Sequence, residues 1–169
     1  MRKIILLTLL FVFLFPNLKA QKIADGSTLN VDGFAVTFTI VNKESITING
    51  KNFDRYKVSA TLLNQSGKSF NIRLNNAPQV VTNIDIVELD CVNATGAKLT
   101  SKKIKLKLKP QNLNVTYWAY TKDGKYQSST IPIVAGYYLD EEDSVHDDAI
   151  FIVPQGEAPD VNVRKIIQS

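Results

Sequence analysis

Only one cysteine, Cys91, and one histidine, His146, occur among 169 residues. A single thiol excludes an internal disulfide in any compartment, so packing alone must hold the fold together. Zinc is poorly served, because His146 stands alone and Cys91 is distant in sequence. A serine or cysteine triad would have to use His146 as its base, and that residue sits in a strongly acidic stretch. Phosphate-cradling glycine loops are missing, since neither G-x-G-x-x-G nor G-x-x-x-x-G-K occurs. Carboxylates are numerous enough for a glycosidase pair, but nothing marks two of them as having divergent acidities. These absences make a non-enzyme the expectation.

Long apolar runs are also scarce. The single example, Ile4 to Phe15 interrupted only by Thr8, follows the basic Met1-Arg2-Lys3 and precedes Pro16 and Asn17. Leu18 and Ala20 then occupy the −3 and −1 positions of a cleavage site. Residues 1–20 read as a secretory signal peptide, cut before Gln21. About 12 apolar residues are too few to span a bilayer, which takes roughly 20. No transmembrane segment is expected after cleavage, and the mature chain is expected to be secreted or periplasmic. Cys91 lies too far from the cleavage site to carry a lipoprotein anchor.

The excess of positive charge is likewise thin. The whole chain has 20 Lys+Arg against 16 Asp+Glu. Removing Arg2, Lys3 and Lys19 with the leader leaves 17 against 16, a net charge of +1. That balance does not support a nucleic-acid partner.

What the sequence does contain is period-2 alternation. In FAVTFTIV, Phe34, Val36, Phe38 and Ile40 share one face. SITI runs into Asn49-Gly50, a two-residue hairpin signal, and FDRYKVSATLL returns with Tyr56, Val58, Ala60 and Leu62 together. After the turn at Asn64–Lys68, SFNIRL places Phe70, Ile72 and Leu74 inward. NIDIVELDCV changes parity, with Ile84 and Ile86 on one face and Val87, Leu89 and Cys91 on the other. A β-bulge, or a strand buried on both faces, accounts for such a switch. AKLTSKKIKLKLK, LNVTYWAY, KYQSSTIPIVAGYYL, AIFIVP and VNVRKII complete roughly nine strand candidates, separated by turn signals. Residues 21–169 are therefore expected to form one all-β domain, an antiparallel β-sandwich of roughly 7–9 strands. N-x-[ST] sequons begin at Asn64, Asn93 and Asn114, and matter only if the source glycosylates secreted proteins.

The signal peptide, the strand–turn–strand unit VSATLLNQSGKSFNIRL and the closing AIFIVP…VNV pair resemble small secreted immunoglobulin-like modules of Gram-negative bacteria. The Cys…Trp…Cys arrangement of antibody domains is absent, since Trp118 has no flanking cysteine pair. The resemblance implies an immunoglobulin-like sandwich that binds, adheres or packs within an assembly. It supplies no site residues.

Three groups of residues carry candidate chemistry. In KKIKLKLK, Lys103, Lys105, Lys107 and Lys109 project opposite Ile104, Leu106 and Leu108. Such a comb either meets acidic groups on a partner or guards an edge strand against pairing. The aromatic residues Tyr117, Trp118, Tyr120, Tyr126, Tyr137 and Tyr138 come from neighbouring strands. Rings in a sandwich ordinarily fill its core, and Trp118 with Tyr120 on one face offers a carbohydrate platform as the binding alternative. In YYLDEEDSVHDD, the carboxylates of Asp140, Glu142, Asp143, Asp147 and Asp148 form a candidate calcium set. Val145 and Phe151 stand where an EF-hand beginning at Asp140 needs glycine and glutamate, so that motif is excluded. A solvated acidic loop is the competing reading. The comb and the acidic stretch are opposite in sign and are expected to attract, within one molecule or between copies. The function expected is a binding or accessory module that contacts a protein or cell-surface component. A calcium-dependent or aromatic-platform polysaccharide-binding module is the alternative, and an unrecognised hydrolase comes third.

Overall fold

A computed structural model describes residues 21–74 and 84–166. The expected leader, residues 1–20, lies outside the described residues. Eleven strands are present: β1 (Gln21–Ile23), β2 (Thr28–Val31), β3 (Phe34–Ile48), β4 (Lys51–Asn64), β5 (Phe70–Arg73), β6 (Asp85–Val92), β7 (Lys98–Lys107), β8 (Lys109–Tyr120), β9 (Tyr126–Leu139), β10 (Ser144–Pro154) and β11 (Asp160–Lys165). They form three antiparallel sheets in the orders β1-β11-β6-β7, β10-β4-β3-β2 and β5-β9-β8. The all-β antiparallel expectation holds. The strand number exceeds the expected range because the short β1 and β2 lack enough alternation to be read separately from their neighbours.

Local chemistry accounts for the longest hairpin. Asn49 and Gly50 adopt φ of 49° and 73°, the left-handed pair that a two-residue turn between twisted strands requires. Ile48 consequently faces Lys51, and the register runs back to Phe34 opposite Asn64 with one irregularity between Ile40 and Asn42. Phe34, Val36 and Phe38 on β3 and Val58, Ala60 and Leu62 on β4 lose all solvent contact. The parity switch in β6 has both of the causes the sequence allowed. Its register with β7 shifts between Asp85 and Val87 and again between Asp90 and Val92, and residues 86–89 are buried without alternation.

The two four-stranded sheets share one core. Val87, Leu89, Cys91, Ile104, Leu106, Val161 and Val163 from the first meet Phe34, Phe38, Tyr56, Leu62, Phe151 and Val153 from the second. This is the packing a β-sandwich requires, each buried large apolar side chain contributing about 1.5–3 kcal/mol relative to exposure.

Asn64 ties two turns at one end of this core. Its Nδ2 donates to the carbonyls of Lys68 at 2.8 Å and Asp140 at 2.9 Å. Its Oδ1 accepts from the Ser66 amide and hydroxyl, and its backbone bonds with Asp143 and Glu142. The sequon at Asn64 is thus buried and fully hydrogen-bonded, which closes it to modification in the folded chain. Nearby, a Cβ on Gly33 would lie 2.6 Å from Ser66 Cα, so only glycine lets the β2–β3 turn approach this point.

Candidate functional site

The third sheet leaves the body. β5 pairs with the base of β9 from Phe70↔Leu139 to Arg73↔Gly136, and the Leu74 amide donates to the Ala135 carbonyl. The β8–β9 register shifts there, passing from Gln111↔Gly136 to Asn112↔Val134 and leaving Ala135 as the extra residue. Gly136 is required beside it, because a Cβ would sit 2.5 Å from the Ile72 carbonyl oxygen. A bulge of this kind adds twist and re-aims a ribbon. From Asn112↔Val134 to Tyr120↔Tyr126, β8 and β9 pair only with each other among the described residues. The result is an arm of nine residues per strand, about 30 Å long at 3.4 Å per residue, exposed on both faces.

The faces differ. Register puts Leu113 opposite Ile133, Val115 opposite Ile131 and Tyr117 opposite Ser129 on one side. Leu113, Val115, Tyr117, Ile131 and Ile133 are each 39–50% exposed. The other side carries Asn112, Asn114 and the hydrogen-bonded pair Thr116–Thr130. Its tip is aromatic. Trp118 stacks on Tyr126 with centroids 5.5 Å apart and planes inclined by 12°, and Tyr120 meets Tyr126 edge-on at 4.9 Å. Tyr120 is 75% exposed. Trp118 and Tyr120 therefore occupy the solvent-facing side that a binding role needs, whereas core filling was the ordinary expectation for such rings. Trp118 spends one ring face on Tyr126, so the cluster presents a stacked pair rather than a flat row.

No charged residue occurs between Lys109 and Lys122, or between Lys125 and Asp140. That run of uncharged residues is the signal by which the sequence marked the arm. Alternation alone could not show that neither face has a sheet above it.

The lysine comb is divided and largely neutralised. Lys103 and Lys105 lie on β7 opposite Asp90 and Glu88 of β6. Lys103 bonds Glu88, Lys105 bonds Asp85 at 2.6 Å, and Arg164 of β11 adds a 2.6 Å bond to the same Glu88 oxygen. Burial opposes ionisation of Glu88, yet the Lys103 and Arg164 partners hold its carboxyl below the usual range of 4.5. Asp90 Oδ1 accepts no well-aligned hydrogen bond but lies 3.4 Å from both Lys98 and Lys103. Lys107 is exposed at the end of β7. Lys109 opens β8 instead of continuing the row and pairs with Asp143 at 2.8 Å. One contact between comb and acidic stretch thus exists within the molecule.

The acidic stretch is mostly strand. β9 ends at Leu139 and β10 begins at Ser144, so the loop is only Asp140 to Asp143, with Glu142 at φ 61°. Asp140 and Asp143 are joined by a backbone-to-carboxylate bond. Asp147 and Asp148 stand in β10 opposite Ala60 and Ser59, where adjacent side chains point to opposite faces. Among the described residues, no three His, Cys, Asp or Glu side chains come together as a metal would need. The five proposed calcium ligands are divided, because antiparallel pairing with β4 straightens the segment that holds Asp147 and Asp148 and leaves Asp140, Glu142 and Asp143 in the loop.

The candidate nucleophile and base are separated too. Cys91 is buried in the first sheet, and that burial, with the nearby Asp160 charge, pushes its thiol up to about 12. His146 is on the exposed part of β10 in the other sheet.

Fold and site together define an all-β antiparallel protein with an exposed, uncharged two-stranded arm. No family model matches the chain, and neither the curated proteins nor the solved structures yield a match.

Proposed function

We propose that this is a secreted or periplasmic, non-catalytic binding module of immunoglobulin-like sandwich type, which engages a protein or cell-surface component through the β8–β9 arm. The arm carries the reading. An isolated two-stranded ribbon is marginal in water, and this one displays large apolar and aromatic side chains that a protein with no partner would gain nothing by exposing. Aromatic residues are also the side chains that anchor interfaces. The lysine comb supports the reading less well, because Lys103, Lys105 and Lys109 already have acidic partners. The secretory route rests on the sequence of residues 1–20, a basic start, an apolar run and a small-residue cleavage site.

Site-specific photo-crosslinking in cells of the source tests the proposal. A crosslinkable residue at Trp118, Tyr120 or Tyr126 is expected to capture a discrete partner, while one at Lys103 or Lys107 captures none. Capture through the lysine positions alone would refute it. The exposed Trp118–Tyr126 pair favours carbohydrate as the second reading. A glycan-array signal abolished by Trp118→Ala would assign the arm to that class.

A further inference from the structure

The aliphatic face of the arm carries a different role from its aromatic tip. Leu113, Val115, Tyr117, Ile131 and Ile133 form one contiguous uncharged patch. At 39–50% exposure these five side chains present on the order of 400 Å² of apolar surface, which matches the largest patch of a typical monomer. We propose that a second copy of this chain covers the patch, the aliphatic faces of two arms packing against each other about a two-fold axis.

Charge selects this occupant. A two-fold axis sets a patch against an identical patch, residue i meeting j and j meeting i, so net charge of either sign on a self-mating face repels its copy. The only charged residues from Pro110 to Leu139 are Lys122, Asp123 and Lys125, all in the turn at the tip. Two long edge strands of the body carry charge: β7 has Lys98, Lys102, Lys103, Lys105 and Lys107, and β10 has Asp147 and Asp148. Such residues discourage pairing between copies, and the arm omits them.

Size agrees. A stable interface needs about 800 Å² per partner. The patch supplies roughly half of this, and Ala119, Gln127 and Ser129 on the same face, with the ribbon backbone, extend it toward the rest. A lipid bilayer is the poorer occupant. The aliphatic band runs only from Leu113 to Tyr117 along β8, about 14–17 Å at 3.4 Å per residue, against an apolar band of about 25 Å in membrane-spanning sheets. Packing of the aliphatic faces leaves both aromatic tips available, so the dimer would present two copies of the recognition end.

Residues 21–169 are to be examined by light scattering and sedimentation from 1 to 100 µM. The wild type is expected to dimerise, and Val115→Lys with Ile131→Lys to be monomeric at 100 µM with the thermal unfolding of the body unchanged. Should the lysines disorder the arm, Leu113→Thr with Ile133→Thr keeps β propensity and is expected to weaken association at least tenfold. Trp118→Ala, on the opposite face, is expected to leave association intact while removing partner capture, which separates this inference from the functional proposal. A wild type that stays monomeric at 100 µM would overturn it, as would a dimer that survives the lysine pair. So would a monomer that instead co-floats with phosphatidylcholine–phosphatidylglycerol vesicles.

Discussion

Replacing Asn64 with alanine removes four well-formed hydrogen bonds at one stroke. Nδ2 gives up its bonds to the Lys68 and Asp140 carbonyls, and Oδ1 gives up those from the Ser66 amide and hydroxyl. A buried bond of this type contributes about 0.5–1.5 kcal/mol net, and each abandoned buried partner costs more. The Lys68 and Asp140 carbonyls lie near exposed turns and can regain water, which keeps the loss near the middle of the range. A cost of about 3 kcal/mol follows, a large part of a total stability of about 5–15 kcal/mol. For a domain of this length, that lowers Tm by about 6–12 °C. Far-UV circular dichroism during urea unfolding is the suitable assay. Fluorescence is not, because Trp118 stands on the arm, away from the core that unfolds. Asn64→Asp refines the test. Its carboxylate would face carbonyl oxygens in a buried site, raising its folded-state pKa above the unfolded one. The cost relative to wild type is therefore full above the raised value and shrinks as pH falls through it. A loss below about 1 kcal/mol for Asn64→Ala, with cooperative unfolding retained, would show that the two turns hold their positions without the amide and would refute the reasoning.

Two further outcomes follow from the charges. The Gly156 amide and Lys43 hold Asp54 below its ordinary 3.8, Lys109 does the same for Asp143, and Glu88 stays below 4.5 against the opposing effect of burial. Depressed carboxyls stabilise the fold above their unfolded values, and that stability disappears as pH falls through the folded ones. Lys103 and Lys105, raised above 10.5 by their acidic partners, contribute below that value and are lost as pH rises past it. Urea midpoints are thus expected to form a plateau from about pH 5 to 10, and Glu88→Gln is expected to cost most at neutral pH and converge on wild type as pH falls through the lowered Glu88 value. An unchanged acid limb in Glu88→Gln would remove Glu88 from the account. Millimolar calcium is expected to leave Tm within 1 °C, since about 100-fold excess over Kd would add about 2.7 kcal/mol to any chain that binds it. A rise of 5 °C or more would show that Asp140, Glu142 and Asp143 can gather around an ion.

The sequence disclosed faces more readily than neighbours, and the difference is physical. Phe34, Val36 and Phe38 alternate with polar residues, so their common burial follows from the two-residue period alone, and Asn49-Gly50 dictates its turn through backbone sterics. Pairing partners depend on register, which no local pattern encodes for strands distant in the chain. Lys103 and Lys105 therefore look like an open basic row until β6 brings Asp85, Glu88 and Asp90 alongside. Asp147 and Asp148 look like loop ligands until β4 pairs with β10 and separates them. The arm sets the limit most clearly. Val115 and Ile131 alternate as convincingly as Val36 and Val58, yet one pair is fully buried and the other remains open to solvent. Periodicity records that a strand has an apolar face, and it carries no information on what covers that face. The missing charges do, because edges and faces meant for water carry lysines and carboxylates elsewhere in this molecule, on β7 and β10. Where both the charge and the covering sheet are absent, an apolar face is left open by the described residues, and the arm is the one long ribbon among them that meets both conditions.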